Sequence, residues 1–386
     1  MTRRAVVVVA DACGAGALPD AAEYGDAGAN TLAHVATAVG GLELPTLARL
    51  GLGSILPLDG VAPAEDPPAA YGRLAAQGPG KDSTAGHWEL MGVVVGEAPP
   101  TYPHGVPAGE RERLATLAGR AIIGGAPSEG LAVLERHGRE HLRTGALILY
   151  TSADSVLQLA AHVDVVAPEE LYAACRAVRA GTDVGRVIAR PFAGAPGAFE
   201  RTEGRRDFAL APPRRSYLDA LQDAGIEVDA VGKVADLFAG RGITRAHPGA
   251  DNATAIAAVS RLLAERDEGL VFANLIDTDQ VHGHRKDVEG FHRALREIDA
   301  AMAGWIARMR DGDLLILTAD HGVDPAAAHT DHTREHVPLL AVGAGMRGRH
   351  DGPLADVGAT VHRWLTGREA EDLPGLPLQG RAQQEA

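Results

Sequence analysis

Aspartate and histidine residues are concentrated in three short segments, each next to an apolar run. Residues 277–285 (DTDQVHGHR) follow the apolar run 270–276, residues 318–322 (TADHG) follow 314–317, and residues 330–336 (TDHTREH) precede 337–342. One loop histidine is usually only exposed or hydrogen-bonded, whereas three such loops together favour a metal site. Mixed carboxylate and imidazole ligation is typical of Mn²⁺ or Zn²⁺ and unlike an all-oxygen calcium site.

A fourth segment supplies Asp11, which directly follows the apolar run 5–10. Asp11 is consistent with a turn, but ligands of open α/β sheets bind at the carboxyl ends of strands. There Asp11, Asp279 and Asp320 would share one cleft, and each pair at about 4 Å would repel by roughly 4 kcal/mol at a dielectric of 20. Two divalent cations would offset this charge and hold the attacking and leaving oxygens of a phosphoryl transfer.

A candidate nucleophile lies in residues 80–89 (GKDSTAGHWE), between a Pro/Gly loop and an apolar run. Two interpretations of its hydroxyl residue Ser83 remain open. Ser83 is either the N-cap of a helix or a nucleophile at a helix N-terminus, where backbone N–H groups bind phosphate. A serine nucleophile needs a base or a metal ion to activate it. Lys81 and Asp82 are as consistent with a surface ion pair as with a role in positioning phosphate.

Apolar runs alternate with amphipathic segments along most of the chain. The predicted strands are 5–10, 227–231, 270–276, 314–317 and 337–342, and the predicted helices are 216–224, 252–265, 288–309 and 354–365. This alternation predicts an α/β fold with a mostly parallel sheet flanked by helices.

Two shifts to Pro, Gly and charged residues, at 96–107 and 211–215, enclose a segment with its own predicted strands and helix. Domain boundaries fall in such linkers. The prediction is a core domain formed by 1–97 and 214–386, with an inserted, smaller α+β cap domain at 98–213.

Composition excludes several classes of protein. The 386 residues, with 46% hydrophobic residues, suit two domains. A net charge of −14 without a basic run disfavours nucleic acid and anionic membranes as partners. Cys13 and Cys175 are far apart and suggest neither a disulfide framework nor a cysteine zinc site. No signal peptide or membrane span is recognised, so a cytoplasmic location is expected, and no protein partner is indicated.

The motifs resemble those of the alkaline phosphatase superfamily and, within it, the bacterial phosphopentomutases. The resemblance rests on residues 81–89, 279–285, 318–322 and 330–340, and it extends over nearly the whole chain, including 150–158 (YTSADSVLQ). It implies an alkaline-phosphatase-like core and a cap that determines substrate specificity. The family's nucleophile is usually threonine, so Ser83 is a departure, although serine serves in the related phosphoglycerate mutases.

The resemblance also implies a set of site residues. Asp11, Asp320 and His321 would bind one metal ion, and Asp279, His284 and His332 would bind the other, with Mn²⁺ as the favoured metal. Ser83 would lie between the metals and carry the phosphoryl group. The residues that would contact the sugar phosphate are Ser152, Asp154, Val156, Arg186 and Ile188 in the cap and Lys233 in the core.

The activity implied is the interconversion of ribose or deoxyribose 1-phosphate and 5-phosphate. It would proceed through a phosphoserine enzyme and a bisphosphate intermediate, with a sugar bisphosphate to prime the phosphoenzyme. Small pentose phosphates would be the binding partners. The alternatives are a phosphohydrolase or phosphoglycerate mutase of the same superfamily, and a non-catalytic phosphosugar-binding protein.

Overall fold

The computed structural model describes residues 2–97, 99–128, 130–152 and 155–378. The chain divides into two compact units, one formed by Met1–Glu97 with Pro212–Ala386 and the other by Ala98–Ala211. The role of the second unit as a substrate-specificity cap stays a prediction.

The strands follow one another along the chain. They are β1 (Arg4–Ala10), β2 (Ala70–Ala75), β3 (Ile122–Pro127), β4 (Leu147–Thr151), β5 (Val156–His162), β6 (Arg186–Ala195), β7 (Ala198–Arg201), β8 (Arg206–Ala209), β9 (Val228–Val231), β10 (Arg245–His247), β11 (Gly269–Leu275), β12 (Asp313–Thr318), β13 (Val337–Gly343), β14 (Gly348–Arg349) and β15 (Gly352–Pro353).

The helices alternate with these strands. They are α1 (Thr31–Ala38), α2 (Pro45–Leu50), α3 (Leu52–Ile55), α4 (Ser83–Leu90), α5 (Ala108–Ala118), α6 (Gly130–Thr144), α7 (Pro168–Ala180), α8 (Tyr217–Asp223), α9 (Val234–Leu237), α10 (Asn252–Glu265), α11 (Val288–Ile306) and α12 (Asp356–Thr366). A 3₁₀ turn covers Ala21–Tyr24, and a π-turn and a second 3₁₀ turn cover Asp277–His282 and Gly283–Arg285.

The sheet of the first unit is centred on β1. Its strand order is β10-β9-β11-β1-β12-β13-β2-β14, with β15 also paired to β2. All seven residues of β1 are buried, as expected for a β-branched run in the middle of a parallel sheet. β1 pairs in parallel with β11 and β12, and Ala10 lies opposite Leu275. The strands that lead into the Asp/His segments therefore end at the same edge of the sheet.

One end of this sheet departs from the parallel arrangement. β13 is antiparallel to both β12 and β2. Residues 319–336, which connect β12 to β13, contain no helix, and a parallel return would need a crossover that is usually helical. The predicted mostly parallel sheet therefore holds from β10 to β12.

The second unit has a sheet of order β3-β4-β5-β6-β7, with β8 paired to β6. Leu149, Leu159 and Val187 pack on one face with residues of α5 and α7. Tyr150 and Phe192 pack on the other face with Val133 and Leu134 of α6. This unit thus has its own hydrophobic core. In the part of the chain that the structure describes, no helix is long and apolar enough to cross a lipid bilayer.

Candidate active site

Two overlapping groups of side chains that could bind a metal ion lie at the carboxyl edge of the core sheet. Asp279, His284 and His332 offer ligand atoms that all lie within 4.8 Å of one another, and so do Asp11, Asp279 and His321. Asp279 belongs to both groups, so the structure places two potential cation sites side by side. These side chains come from the segments that follow β1, β11 and β12 and from the segment before β13.

The histidines are oriented with their Nε2 atoms toward the aspartates. His284 Nδ1 lies 2.7 Å from the Thr330 carbonyl oxygen, and His321 Nδ1 lies 3.2 Å from that of Gly322. Because a carbonyl oxygen only accepts hydrogen bonds, Nδ1 carries the hydrogen in both rings and Nε2 presents a lone pair. His284 Nε2 is 3.2 Å from Asp279 Oδ1, and His321 Nε2 is 3.4 Å from Asp11 Oδ1.

The carboxylates in and beside these groups also present oxygen atoms that a cation could bind. Asp11 Oδ1, Asp279 Oδ1 and Asp320 Oδ2 are buried and accept no hydrogen bond from the described residues. Burial, followed by the charges of Asp320 and Asp279, raises the pKa of Asp11 well above its ordinary value. Buried anionic oxygens and nitrogen lone pairs that face one another repel, whereas a divalent cation between them would bind both. The donor set therefore fits divalent metal ions.

Asp320 lies beside the second group. Its Oδ2 is 3.5 Å from His321 Nε2, and its Oδ1 accepts a hydrogen bond of 3.3 Å from the Ala12 amide. Ala12 has a left-handed backbone conformation with φ of 64°. Such a conformation is uncommon for alanine, and here it occurs in the turn immediately after Asp11. Asp11, Asp320 and His321, which the resemblance assigned to one metal, are thus brought together.

Ser83 is the first residue of α4, and the N-cap is Asp82. The Asp82 carboxylate accepts hydrogen bonds of 2.9 and 3.0 Å from the Thr84 and Ala85 amides. The interpretation of Ser83 as an N-cap is therefore wrong. Its Oγ instead lies 3.1 Å from His321 Nε2, next to the group formed by Asp11, Asp279 and His321.

The possible surface ion pair between Lys81 and Asp82 is also wrong. Lys81 Nζ donates to buried Asp26 at 3.0 Å, while Asp82 is occupied as the helix cap.

Direct packing of α4 on Asp320 brings Ser83 to the cluster. A Cβ atom at Gly86 would lie 2.4 Å from the Asp320 carbonyl oxygen and 2.7 Å from Asp320 Cβ. Only glycine allows this close approach of the helix to the loop after β12.

Two buried side chains that the sequence analysis did not select connect these residues. Asn274 Nδ2 lies 3.0 Å from Asp11 Oδ2 and 3.3 Å from His87 Nε2. His87 Nδ1 lies 2.9 Å from the Ser83 carbonyl oxygen and 3.1 Å from Asp320 Oδ2. Signals were present in the sequence, since an asparagine interrupts the apolar run of β11 and His87 is four residues from Ser83 on the same helix.

The residues predicted to contact substrate are placed in different parts of the chain. Lys233 Nζ lies 3.7 Å from Asp11 Oδ2, next to the metal-binding groups. Val156 and Arg186 are paired on β5 and β6, and Ile188 follows on the same face of β6.

The remaining two predicted contacts are in the connection after β4. Ser152 immediately follows β4, and Asp154 lies outside the described residues.

Three other histidines in or next to the Asp/His segments have partners outside the ligand groups. His282 Nδ1 lies 2.8 Å from Asp287, His329 Nε2 lies 2.9 Å from Asp26, and His336 Nδ1 lies 3.2 Å from the Gly16 carbonyl oxygen.

The chain matches the model of an enzyme superfamily and, within that superfamily, individual proteins over most of its length. Residues 3–366 match the family model of the metalloenzyme superfamily, so the fold and the cluster belong to a metalloenzyme of that superfamily. The chain is 49% identical over 372 residues to a phosphopentomutase of Anaeromyxobacter sp. (strain K), covering 95% of this chain and 96% of that protein. It is 51% identical over 342 residues to a phosphopentomutase of Syntrophotalea carbinolica, covering 88% and 87%. The chain belongs to the phosphopentomutase family.

A solved structure supports the fold independently. The phosphoglycerate mutase of Leishmania mexicana superposes with a TM-score of 0.51 over 99% of this chain and 98% of that protein, at 14% identity. At this identity the likeness concerns the fold alone.

The resemblance read from the motifs and the predicted α/β fold are both confirmed. Family membership makes the chain an isomerase, and the superfamily together with the clustered side chains supports binding of divalent metal ions.

Proposed function

We propose that this enzyme interconverts ribose or deoxyribose 1-phosphate and 5-phosphate by way of phosphorylated Ser83. The observation that carries the proposal is the position of Ser83 Oγ, 3.1 Å from Nε2 of His321, whose ligand group shares Asp279 with the second ligand group. A site that bound a phosphosugar without chemistry would not require a hydroxyl at the N-terminus of a helix packed on a metal ligand.

We infer that Asp11, Asp320 and His321 hold one metal ion and that Asp279, His284 and His332 hold the other, with Mn²⁺ as the proposed metal. Bound divalent ions would neutralise the carboxylates and the phosphoryl oxygens and lower the pKa of the serine hydroxyl. Asn274 orients Asp11 through the bond to Oδ2, which leaves Oδ1 free to act as a ligand.

The proposed reaction consists of two transfers in opposite directions. In the first, a sugar hydroxyl attacks the phosphorus of phosphoserine 83; the new sugar O–P bond forms, the Oγ–P bond breaks, and the hydroxyl proton is transferred to the departing Ser83 oxygen. In the second, Ser83 Oγ attacks the other phosphate of the bisphosphate; the Oγ–P bond forms, the sugar O–P bond of that phosphate breaks, and the Ser83 hydroxyl proton is transferred to the departing sugar oxygen. A sugar bisphosphate would load Ser83 before the first turnover.

Substrate specificity is proposed to come from residues outside the metal groups. Arg186 can bind the non-reacting phosphate through two parallel hydrogen bonds, and we propose that Ser152, Asp154, Val156 and Ile188 contact the sugar. Lys233 adds a positive charge near Asp11 that favours an anionic substrate. The transfer also requires that water be excluded, because water would hydrolyse the phosphoenzyme.

The test is a ³¹P NMR assay of the purified chain with Mn²⁺, a catalytic amount of a pentose bisphosphate and either ribose 5-phosphate or deoxyribose 5-phosphate. The proposal predicts that the 5-phosphate ester signal is replaced by that of the 1-phosphate ester without release of inorganic phosphate. Release of phosphate alone would indicate a phosphohydrolase. Conversion of 3-phosphoglycerate to 2-phosphoglycerate instead would indicate a phosphoglycerate mutase.

We also propose that the enzyme is cytoplasmic and that it is active without a protein partner.

A further inference from the structure

A buried carboxylate outside the metal-binding groups joins three distant parts of the chain. Asp26, whose side chain is 0% exposed, follows the 3₁₀ turn Ala21–Tyr24. Its Oδ2 accepts hydrogen bonds from Lys81 Nζ at 3.0 Å and from the Arg334 amide at 2.8 Å. Its Oδ1 lies 2.9 Å from His329 Nε2.

Two of the three parts carry residues of the proposed reaction. Lys81 precedes Ser83 by two residues, and His329 and Arg334 flank His332. Arg334 adds a direct connection, because its Nη1 donates to the Gly80 carbonyl oxygen at 2.7 Å. Asp26 and Arg334 together therefore join the segment that leads into α4 and includes its first two residues, here called the serine loop (80–84), to the segment before β13, here called the histidine loop (329–334).

The connection reaches the proposed site through ring contacts. The rings of His321 and His332 have centroids 4.1 Å apart. His321 Nε2 in turn lies 3.1 Å from Ser83 Oγ, within hydrogen-bond distance. A shift of the histidine loop relative to the serine loop would change the position of His332 relative to the Ser83–His321 pair.

The contacts between Asp26 and its partners depend on charged groups that are largely buried. The guanidinium of Arg334 is 4% exposed, lies 5.0 Å from the centre of the Tyr24 ring and is held at its outer edge by Asp20. Removal of the Asp26 carboxylate would leave Lys81 and the buried Arg334 amide without their acceptor. Loss of one member of such a buried set is costly because the remaining polar groups are left without partners.

We propose that Asp26 is a positioning residue for phosphoryl transfer, which fixes the serine loop relative to the histidine loop. The proposal rests on the proposed function in that Ser83 and His332 are taken as members of the site. Asp26 itself touches neither substrate nor metal, so it acts through Lys81, Arg334 and His329.

The test compares Asp26→Asn with a matched control, Asp20→Asn. The asparagine keeps the shape but has only one acceptor oxygen, so its NH₂ group must face either Lys81 and the Arg334 amide or His329. Asp20 is 39% exposed and contacts only the outer edge of the same guanidinium. For Asp26→Asn we expect kcat to fall roughly 10–100-fold, KM to stay within about threefold, and Mn²⁺ affinity to fall, whereas Asp20→Asn stays near wild type.

A second readout needs neither metal nor activity. In metal-free protein, hydrogen exchange followed by mass spectrometry should show faster exchange in both loops for Asp26→Asn and no change elsewhere in the sheet. In the double variant Asp26→Asn/Lys81→Met, the asparagine NH₂ group no longer faces the Lys81 ammonium group. Part of the lost kcat should therefore be recovered. If Asp26→Asn does not fold, Lys81→Met alone should lower kcat and speed exchange in the serine loop.

The proposal is overturned if exchange is unchanged in both loops, or if Asp26→Asn only lowers the melting temperature while kcat per folded molecule and Mn²⁺ affinity equal those of wild type. Failure of the proposed function is a distinct result. It would appear as absence of isomerisation in the wild-type chain, and hydrogen exchange and Mn²⁺ titration would still decide the role of Asp26.

Discussion

Two of the proposed metal-binding imidazoles are oriented by what their other nitrogen contacts. His284 and His321 donate from Nδ1 to backbone carbonyl oxygens, which leaves the Nε2 lone pairs facing Asp279 and Asp11. Asp279 is shared between the two groups, so the charge of this one carboxylate affects both proposed cations. Removal of one histidine should therefore weaken one position most and the other less.

His332→Ala should reduce the metal content by close to one of two equivalents. The reason is that His332, together with Asp279 and His284, is proposed to bind only one of the two cations. His282→Ala is the matched control, since His282 pairs with Asp287 and should leave both positions filled. Metal analysis after dialysis, with anomalous scattering from Mn²⁺-loaded crystals, measures both. Two full positions in His332→Ala would refute the assignment.

The sequence predicted which residues belong to the candidate site better than it predicted which partners they contact. The spacing of Asp and His in segments next to apolar runs indicated the residues that the fold brings together, from Asp11 to His332. The partner of Lys81 could not be predicted, because Asp26 is more than fifty residues from Lys81 in sequence and the contact depends on tertiary packing. The sequence shows the positions of His87 and Asn274 on their helix and strand, but their contact with each other depends on how that helix and strand pack.

The position of α4 is decided by two local features. Asp82 caps its first turn, and Gly86 allows its backbone to contact Asp320. Together they hold Ser83 at the edge of the sheet where the strands carrying Asp11 and Asp320 end. The helix is short, at eight residues, so its position depends on these contacts more than on helix propensity.

Gly86→Ala should lower kcat by on the order of 100-fold, because an added methyl group meets the Asp320 backbone and displaces α4 by a fraction of an ångström or more. Gly109→Ala in α5 is the control, since a Cβ there meets nothing within 4 Å. The control should keep full activity and gain up to about 1 kcal/mol in stability from the better helix former. Steady-state kinetics and thermal melting measure the pair, and a fully active Gly86→Ala would contradict this account of α4.

A carboxylate in β9 predicts the pH dependence of stability. Burial raises the pKa of Asp229, but hydrogen bonds from Arg245, His247 and Arg266 outweigh burial and hold it below its ordinary value of 3.8. A lowered folded-state pKa means that ionised Asp229 stabilises the fold above pH 3.8 and that this contribution is lost as the pH falls through the folded pKa.

Asp229→Asn should therefore lower the free energy of unfolding at pH 7, with a difference from wild type that shrinks below about pH 4. Urea denaturation at several pH values measures this difference. A difference that is constant with pH would show that packing, rather than charge, determines the effect.

Among the elements, strongly periodic segments were predicted well. The helix at 252–265 was predicted at its observed bounds, and α11 ends at Ile306 instead of 309. The antiparallel direction of β13 and the pairing of β2 were not predicted. Strand direction depends on the connection and on the partner strand, and neither is encoded in the alternation of residues within one segment.

Over the whole molecule, the metal-binding groups and the proposed sugar contacts are divided between two compact units. The first unit carries Ser83 and the metal-facing side chains, and the second carries Val156, Arg186 and Ile188 on one face of its sheet. The first set is proposed to carry out transfer of the phosphoryl group, and the second set is proposed to distinguish a mutase from a phosphatase.

Arg186→Ala should reduce isomerisation of the pentose phosphate by 100-fold or more, an order-of-magnitude expectation for losing a bidentate grip on the non-reacting phosphate. Hydrolysis of a small aryl phosphate should change little, because that substrate has no second phosphate. Arg139→Ala, on the exposed side of α6, is the control. Equal losses on both substrates would mean that Arg186 supports the fold instead.

Phosphorylation of Ser83 is tested most directly by peptide mass spectrometry of the enzyme quenched during turnover. We expect phosphate on Ser83 in the wild type. In Ser83→Ala we expect no phosphopeptide and no isomerisation, with metal content and circular dichroism unchanged, if Ser83 has the assigned role. Phosphate found on Thr84, or on no residue of a turning-over enzyme, would contradict it.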